Sequence, residues 1–374
     1  MPVGFYLSTM KLRDLATPTA VIVFVCLSSS CGNWAARAVK YVPATTALER
    51  QYAYDGHVVI VGAGPAGLAA AKVMEQNEVS YTLLEATERI GGRLKKDTTL
   101  ADFPIDLGAE WIHSNPIVLN RIKGKPGNEV DEDLIPYRLE SSCTWDGKEL
   151  RPLTDKFMDR YYEFLPESKF RHSTWYDFVM DNLGEDVVAN VIHESVVSRV
   201  DLSGETIQIL TTSGQLHQAD KVILAVPVGV LQRDVIEFNP SLDLDRVVAL
   251  RRIDFLTGFK MFLRFEECFY PNVVTCEVSD GEKVFYDVAY KKEASSHVLA
   301  LLVQGAHAGG YFDLGSKEAM VQANQSGSII SDDAYTKNVH ITELTAIQRA
   351  SFITDVSYSV NLVLPKGEWY GGGV

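Results

Sequence analysis

At 374 residues, with 46% apolar and 22% charged side chains, the chain is long enough for two domains of ordinary size, each with its own core. A formal charge of −14 at neutral pH argues against a nucleic-acid partner, because phosphate backbones recruit basic surfaces. An acidic surface suits cationic small molecules, and equally it simply keeps a protein soluble.

Residues 1–38 read as an address. Lys11 and Arg13 precede the apolar run Ala20 to Leu27, and small residues follow up to Ala36-Arg37-Ala38, the pattern of a secretory signal peptide with its cleavage site. The expectation is the secretory pathway and an extracellular protein. The run is short for a membrane span, and an uncleaved N-terminal membrane anchor is the alternative. Cys26 and Cys31 lie in this segment, leaving Cys143, Cys268 and Cys276. Their spacing matches no metal motif. One disulfide, most simply Cys268 with Cys276, and three separate thiols both fit.

Residues 39–56 look like a linker into a strand at His57 to Val61. Gly62, Gly64 and Gly67 then separate this strand from an Ala-rich helix beginning near Pro65, and a second strand from Tyr81 to Leu84 ends in Glu85. The order has a mechanical reading. Gly62 makes the tight turn, Gly64 lets backbone approach a pyrophosphate, and Gly67 permits close helix packing. The phosphates would sit at the helix N-terminus, with Glu85 where a ribose hydroxyl needs an acceptor. Residues 57–125 are thus the first part of a Rossmann-like dinucleotide-binding domain.

Residues 126–189 contain a helical-looking stretch from about Asp155 to Leu183 and read as the first part of a substrate domain. The period changes between Val196 and Val226, where strand-like runs alternate with turns at Ser203-Gly204 and Ser213-Gly214. This small β-meander leads into an apolar strand, Val222 to Val226, ended by Pro227. Residues 190–245 are therefore assigned to the second part of the dinucleotide-binding domain. Strand-like runs at Phe259 to Phe265, Lys283 to Tyr290 and His297 to Gln304 place residues 246–325 in the second part of the substrate domain. In the first run Phe259, Met261, Leu263 and Phe265 share one face, and Lys260, Phe262 and Arg264 the other. Residues 326–374 are a polar, pattern-poor tail. No internal repeat or low-complexity tract is present.

Two further stretches separate FAD from a nicotinamide cofactor. "EATERIGGRL" adds a glycine pair and an arginine after the ribose acid, and "IDLGAEWIHSNP" follows at residues 105–116. An extended flavin dinucleotide needs the additional backbone and guanidinium contacts. With these motifs the chain resembles the flavin-containing amine oxidases, particularly the polyamine oxidase branch, over roughly His57 to Gln322.

The resemblance implies an α/β fold, with a Rossmann-like FAD-binding domain and its β-meander beside a mixed substrate-binding domain. It implies that Gly62, Ala63, Gly64, Pro65, Ala66 and Gly67 line the pyrophosphate loop, that Glu85 binds ribose, and that Gly92 and Arg93 make a second phosphate contact. Gly108, Ala109, Glu110 and Trp111 match the segment along the flavin. Val197 matches the position whose backbone meets adenine, although an ordinary core valine reads the same. Lys260 matches the lysine that holds a water at the flavin, where an unassigned strand lysine would be a solvated side chain. His113 matches a substrate-channel histidine, and a hydrogen-bonded structural histidine is the other reading. For Glu110 a surface or supporting acid competes with attraction of a second amino group. The implied reaction oxidises an amine or polyamine with molecular oxygen. A related FAD-dependent desaturase or porphyrinogen oxidase is one alternative. A truncated, inactive flavoprotein-like module is another, because the family's C-terminal Ala-Gly-Glu segment, which covers the flavin, has no match in the tail.

Overall fold

The computed structural model describes residues 21–23, 54–112, 117–124, 132–136, 142–145, 150–152, 168–253, 255, 258–265, 268, 270–276, 282–305 and 308. The expected channel histidine His113 and the tail 326–374 lie outside the described residues.

In chain order, β1 is Val21–Val23, inside the stretch expected to be a leader, and β2 is His57–Val61. Val58 to Val61 are all buried, as a continuous apolar run requires when a parallel strand is covered on both faces. Helix α1, Pro65–Gln76, starts with proline where the missing N–H costs nothing, and buries Gly67, Leu68 and Ala71. Next come β3 (Ser80–Leu84), β4 (Lys96–Asp97), β5 (Ile105–Asp106), α2 (Ile117–Ile122), β6 (Leu134–Pro136), β7 (Ser142–Trp145), β8 (Leu150–Pro152) and β9 (Ser168–Phe170). Of the helical stretch expected at 155–183, residues 168–183 are described: Ser168–Phe170 form strand β9 instead, because they pair with β6, and the helix is confined to α3, Trp175–Val179, continued by a π turn at Met180–Gly184. The Thr174 hydroxyl caps α3 by accepting from the Asp177 amide.

After β10 (Val191–Ile192) the meander forms as expected, with β11 (Val197–Asp201), β12 (Ile207–Thr211) and β13 (Leu216–Ala219) pairing antiparallel. The following strand, β14 (Lys221–Leu224), ends earlier than the sequence suggests, because Pro227 takes the N-cap position of α4, Val228–Gln232. Then come β15 (Glu237–Asn239), α5 (Leu244–Arg251), β16 (Gly258–Phe265), β17 (Val273–Cys276), β18 (Glu282–Asp287) and β19 (His297–Gln304).

Three sheets matter for the site. A parallel sheet has the order β1-β14-β2-β3-β10, so the chain returns after the meander to pair Val222 with Val59. The meander sheet, ordered β13-β12-β11-β15, shares a core with it: Val197, Val200 and Ile209 cluster with Val59, Val61 and Leu84. The third is a mixed sheet ordered β16-β19-β18-β17-β7-β8. Its β16 separates faces as the alternation predicts, but both are covered. Phe259, Met261, Leu263 and Phe265 enter one apolar cluster, and Phe262 joins Ile105, Leu107 and Tyr286 in another. The second cluster ties the segment after β4 to the mixed sheet.

The three described cysteines are free. The simplest expected disulfide is therefore not formed. Cys268 is exposed and its Sγ lies 3.8 Å from the Tyr270 carbonyl oxygen, whereas Cys276 is buried in β17.

Candidate functional site

The turn from β2 into α1 needs its glycines. Gly62 has φ +100°, and a Cβ there would meet the Ala225 carbonyl oxygen at 2.8 Å. A Cβ on Gly67 would lie 1.8 Å from the Gly62 carbonyl oxygen, so only glycine lets the helix approach the strand end. No side chain caps the N-terminus of α1, and its first turn holds no acid, leaving the positive end of the helix open to an anion. The Gly91-Gly92 turn docks on this loop: Gly91 N–H donates to the Ala63 carbonyl at 2.8 Å. Gly92, at φ +54°, faces Gly64.

Arg89, which the sequence reading passed over, holds that second turn. Its guanidinium donates to the carbonyls of Ile90, Gly92 and Leu94 at 3.2, 2.6 and 3.0 Å. Five forked donors suit a loop whose carbonyls find no ladder. The guanidinium carbon of Arg93 lies 5.3 Å from the Phe255 ring centroid.

Glu85 is buried at the end of β3. One carboxylate oxygen accepts from the Ala63 amide at 2.8 Å, and the other accepts from the Thr87 amide and hydroxyl at 3.0 and 2.8 Å. The acid is thereby fixed beside the glycine loop, where a ribose would follow the pyrophosphate. Val197, buried at the start of β11, packs in the same core as Leu84. The donors, the open helix end and the bare backbone surface where Gly64 and Gly92 meet fit the adenosine diphosphate half of a dinucleotide.

Gly108 links this loop to the second half of the site. A Cβ there would lie 1.8 Å from the Arg93 carbonyl oxygen, so the segment 108–111 rests directly on the phosphate-loop turn. Lys260, wholly buried in β16, donates from Nζ to the Gly108 carbonyl at 2.9 Å and to Glu110 Oε2 at 3.4 Å. Its ammonium lies 4.9 Å from the centroid of a Trp111 ring and 5.6 Å from that of Tyr286, a cation–π surround. Lys260 is thus neither solvated nor snorkelling. Glu110 is 4% exposed, which excludes a surface acid, and its Oε2 also accepts from the Tyr286 hydroxyl at 2.7 Å. The carboxylate faces Lys260 and Tyr286. Its chemistry is to hold a buried cation.

Two further groups escaped the sequence reading. Lys169 of β9 is 1% exposed, donates to the Val288 carbonyl at 3.0 Å, and stands 3.7 Å from Glu110 Oε1. Asp106 of β5 accepts from the Trp175 amide at 3.1 and 3.2 Å through its two oxygens. Burial raises the Asp106 carboxyl well above the ordinary range, and the Glu110 charge adds to this. Burial also pushes Glu110 upward, but Lys260, Lys169 and the Tyr286 hydroxyl outweigh it and hold the carboxyl below its usual value. Burial pulls Lys260 down against Glu110 and Asp106, and pulls Lys169 down to about 8 against Glu110. One acid raised by burial, one held low by its lysine neighbours and two lysines lowered by burial therefore sit around the segment 108–111.

The family model described as flavin containing amine oxidoreductase matches residues 180–326, and a model for an NAD(P)-binding Rossmann-like domain matches residues 60–121. Among curated relatives, lysine-specific histone demethylase 2 of Homo sapiens is 24% identical over 356 residues, covering 72% of this chain and 43% of the relative. Probable polyamine oxidase 4 of Arabidopsis thaliana is 24% identical over 306 residues, covering 60% of this chain and 61% of the relative. The chain thus spans about half the length of these relatives. Among solved structures, a putrescine oxidase variant aligns with TM-score 0.60 at 17% identity, over 77% of this chain and 84% of that one. A cyclohexylamine oxidase from Brevibacterium oxydans aligns with TM-score 0.58 at 15% identity, over 77% and 84%. Those two likenesses concern the fold.

Proposed function

The chain belongs to the flavin-containing amine oxidase family and has FAD as its cofactor, and from that premise we propose that it is an oxidase of polyamine-like amines. The observation that carries this reading is Lys260, buried against the Gly108 carbonyl on a segment that itself rests on the Arg93 turn of the phosphate loop. When bound, FAD supplies two-electron chemistry, accepting a hydride equivalent from the carbon beside an amine nitrogen and passing the electrons to oxygen as hydrogen peroxide.

The remaining work belongs to the chain. The α1 N-terminus and the bare backbone where Gly64 and Gly92 meet would bind the pyrophosphate, Glu85 would bind ribose, and the Val197 backbone would border the adenine. Gly108 to Trp111 form a wall for the flavin ring, closed from behind by Tyr286. An ammonium has three donors. Those of Lys260 that do not meet Gly108 and Glu110 would hold a water toward the reacting carbon. His113 is proposed to accept a hydrogen bond or proton from the substrate amine, as a group with a reference pKa of about 6.5 can. The acidic chain attracts the cationic substrate, and secretion of the protein remains part of the proposal.

Purified chain should show flavin absorbance and release peroxide with spermine. Absence of flavin would favour an inactive module. Turnover of a cyclic polyene or a porphyrinogen, with none of spermine, would move the chain to the desaturases or porphyrinogen oxidases.

A further inference from the structure

We propose that Lys169 is a positioning residue for Lys260, acting through Glu110, which serves both lysines as a shared counter-ion. Three elements distant in sequence converge here: Lys169 from β9, Lys260 from β16 and Glu110 from the segment after β5. Glu110 divides its oxygens between them. Oε1 stands 3.7 Å from Lys169 Nζ, while Oε2 takes Lys260 at 3.4 Å and the Tyr286 hydroxyl at 2.7 Å. All three ionisable side chains are 4% exposed or less, so water screens none of these charges.

Among the described residues, three lysines and three acids act on one another here. Lys169 faces Glu110, Lys292 and Asp287; Lys260 faces Glu110 and Asp106; Glu110 faces Lys260, Lys169, Lys292 and the Tyr286 hydroxyl. Burial raises the Asp106 and Asp287 carboxyls, while Glu110 is held below its usual value and stands 3.7 Å from Lys169 and 3.4 Å from Lys260, so it is the acid of this cluster that keeps its charge most readily. A protonated Lys169 draws on Glu110 and weakens its hold on Lys260. A neutral Lys169 keeps its place and leaves Glu110 to Lys260, Lys292 and the Tyr286 hydroxyl. The two lysines therefore titrate as a pair. Their shared proton sets how often Lys260 carries a charge beside the reacting centre.

The test reads the lysines directly, in the 374-residue chain labelled with 13C at lysine Cε, without flavin or amine, using Lys→Arg variants for assignment. In the unsubstituted chain the Lys169 and Lys260 resonances should each show the other's titration step. In Lys169→Met, removal of a like charge should raise the Lys260 titration midpoint by about one pH unit, whereas Lys169→Arg keeps the charge and the midpoint. Independent single-step curves in the unsubstituted chain, or an unmoved Lys260 midpoint in folded Lys169→Met, would overturn the proposal. The coupled curves decide the matter even if the methionine variant does not fold. The consequence for turnover rests on the amine oxidase reading: the pH profile of flavin reduction should shift in the same direction. Loss of peroxide activity with coupled lysine curves would count against that reading alone.

Discussion

Gly64 and Gly92 face each other across the phosphate loop so closely that a Cβ on Gly92 would come within 3.1 Å of the Gly64 Cα. Gly92 also has φ +54°. A side chain there would be strained in backbone and would push apart the two turns that together form the proposed pyrophosphate site.

Gly92→Ala is therefore expected to weaken FAD binding by roughly five- to hundredfold, the equivalent of about 1–3 kcal/mol of strain at ~1.4 kcal/mol per factor of ten, as the turn shifts to make room. The global fold should survive, because the turn lies outside the sheets. Gly67→Ala should instead lower the melting temperature sharply, with its Cβ 1.8 Å from the Gly62 carbonyl oxygen. Flavin titration and thermal melts of both variants provide the comparison. Equal FAD affinity in Gly92→Ala and the parent would remove the Gly64–Gly92 contact from the binding site.

Glu85→Ala should weaken FAD binding and modestly destabilise the chain. The substitution removes the proposed ribose acceptor and leaves the Ala63 and Thr87 donors without their carboxylate. A lost charged acceptor costs about 1.5–3 kcal/mol, or roughly ten- to hundredfold in affinity. Fluorescence quenching of added FAD measures it. Unchanged affinity would place the ribose elsewhere.

The parts of this site that were legible in the sequence share one property: their meaning is local. The glycines, β2, α1, β3 and Glu85 fall in one short run whose turn geometry demands particular residue types. Lys260 was legible through the family resemblance, because strand alternation assigns its face but by itself reads as a solvated side chain. Arg89, Lys169 and Asp106 carried no such signal. Lys169 meets the Val288 carbonyl 119 residues away, and its burial depends on how the mixed sheet closes over β9. A lone lysine in a three-residue strand has no pattern that announces a buried partner. Glu110 lay between the two cases. Its position was visible, but the surface reading failed because Tyr286, 176 residues on, provides the hydrogen bond that draws it inward.

Alkaline pH should stabilise the folded chain through its buried lysines. Burial lowers Lys169 from 10.5 to about 8 in the folded state. Between those two values the unfolded chain binds more protons than the folded one, so stability rises with pH across the window and levels off above it. Lys260 and Lys292 are shifted in the same direction, largely by burial, and contribute with the same sign. Urea melts between pH 8 and 10.5 should show this rise, reduced in Lys169→Met. A slope identical in parent and variant would mean that Lys169 titrates at its ordinary value.

The N-terminus offers a choice between two states of one segment. Val21–Val23 pairs in parallel with Val222 to Leu224 as the outer strand of the central sheet, and the same residues lie in the apolar run of the proposed leader. Expressed in a eukaryotic secretory system, the mature chain is expected to begin near Val39, leaving β14 as the sheet edge. Mass spectrometry of the secreted protein checks this. An intact Met1 on a cytosolic protein would reject the leader and leave β1 in the sheet.

Replacement of Lys260 tests the centre of the proposed chemistry. Lys260→Met keeps an apolar side chain of similar length among Trp111, Phe262 and Tyr286, and Glu110 retains Lys169 and the Tyr286 hydroxyl as partners. The fold should tolerate the change better than removal of a lone buried partner would suggest. FAD binding should persist, because its proposed grip lies at Gly62 to Gly67 and Glu85. What disappears is the donor beside the Gly108 carbonyl, and with it the proposed water. Flavin reduction under stopped-flow conditions should then slow by about two powers of ten, or about 3 kcal/mol of barrier. A variant that binds FAD and reduces it at the parent rate would show that Lys260 is only a structural cation for Glu110.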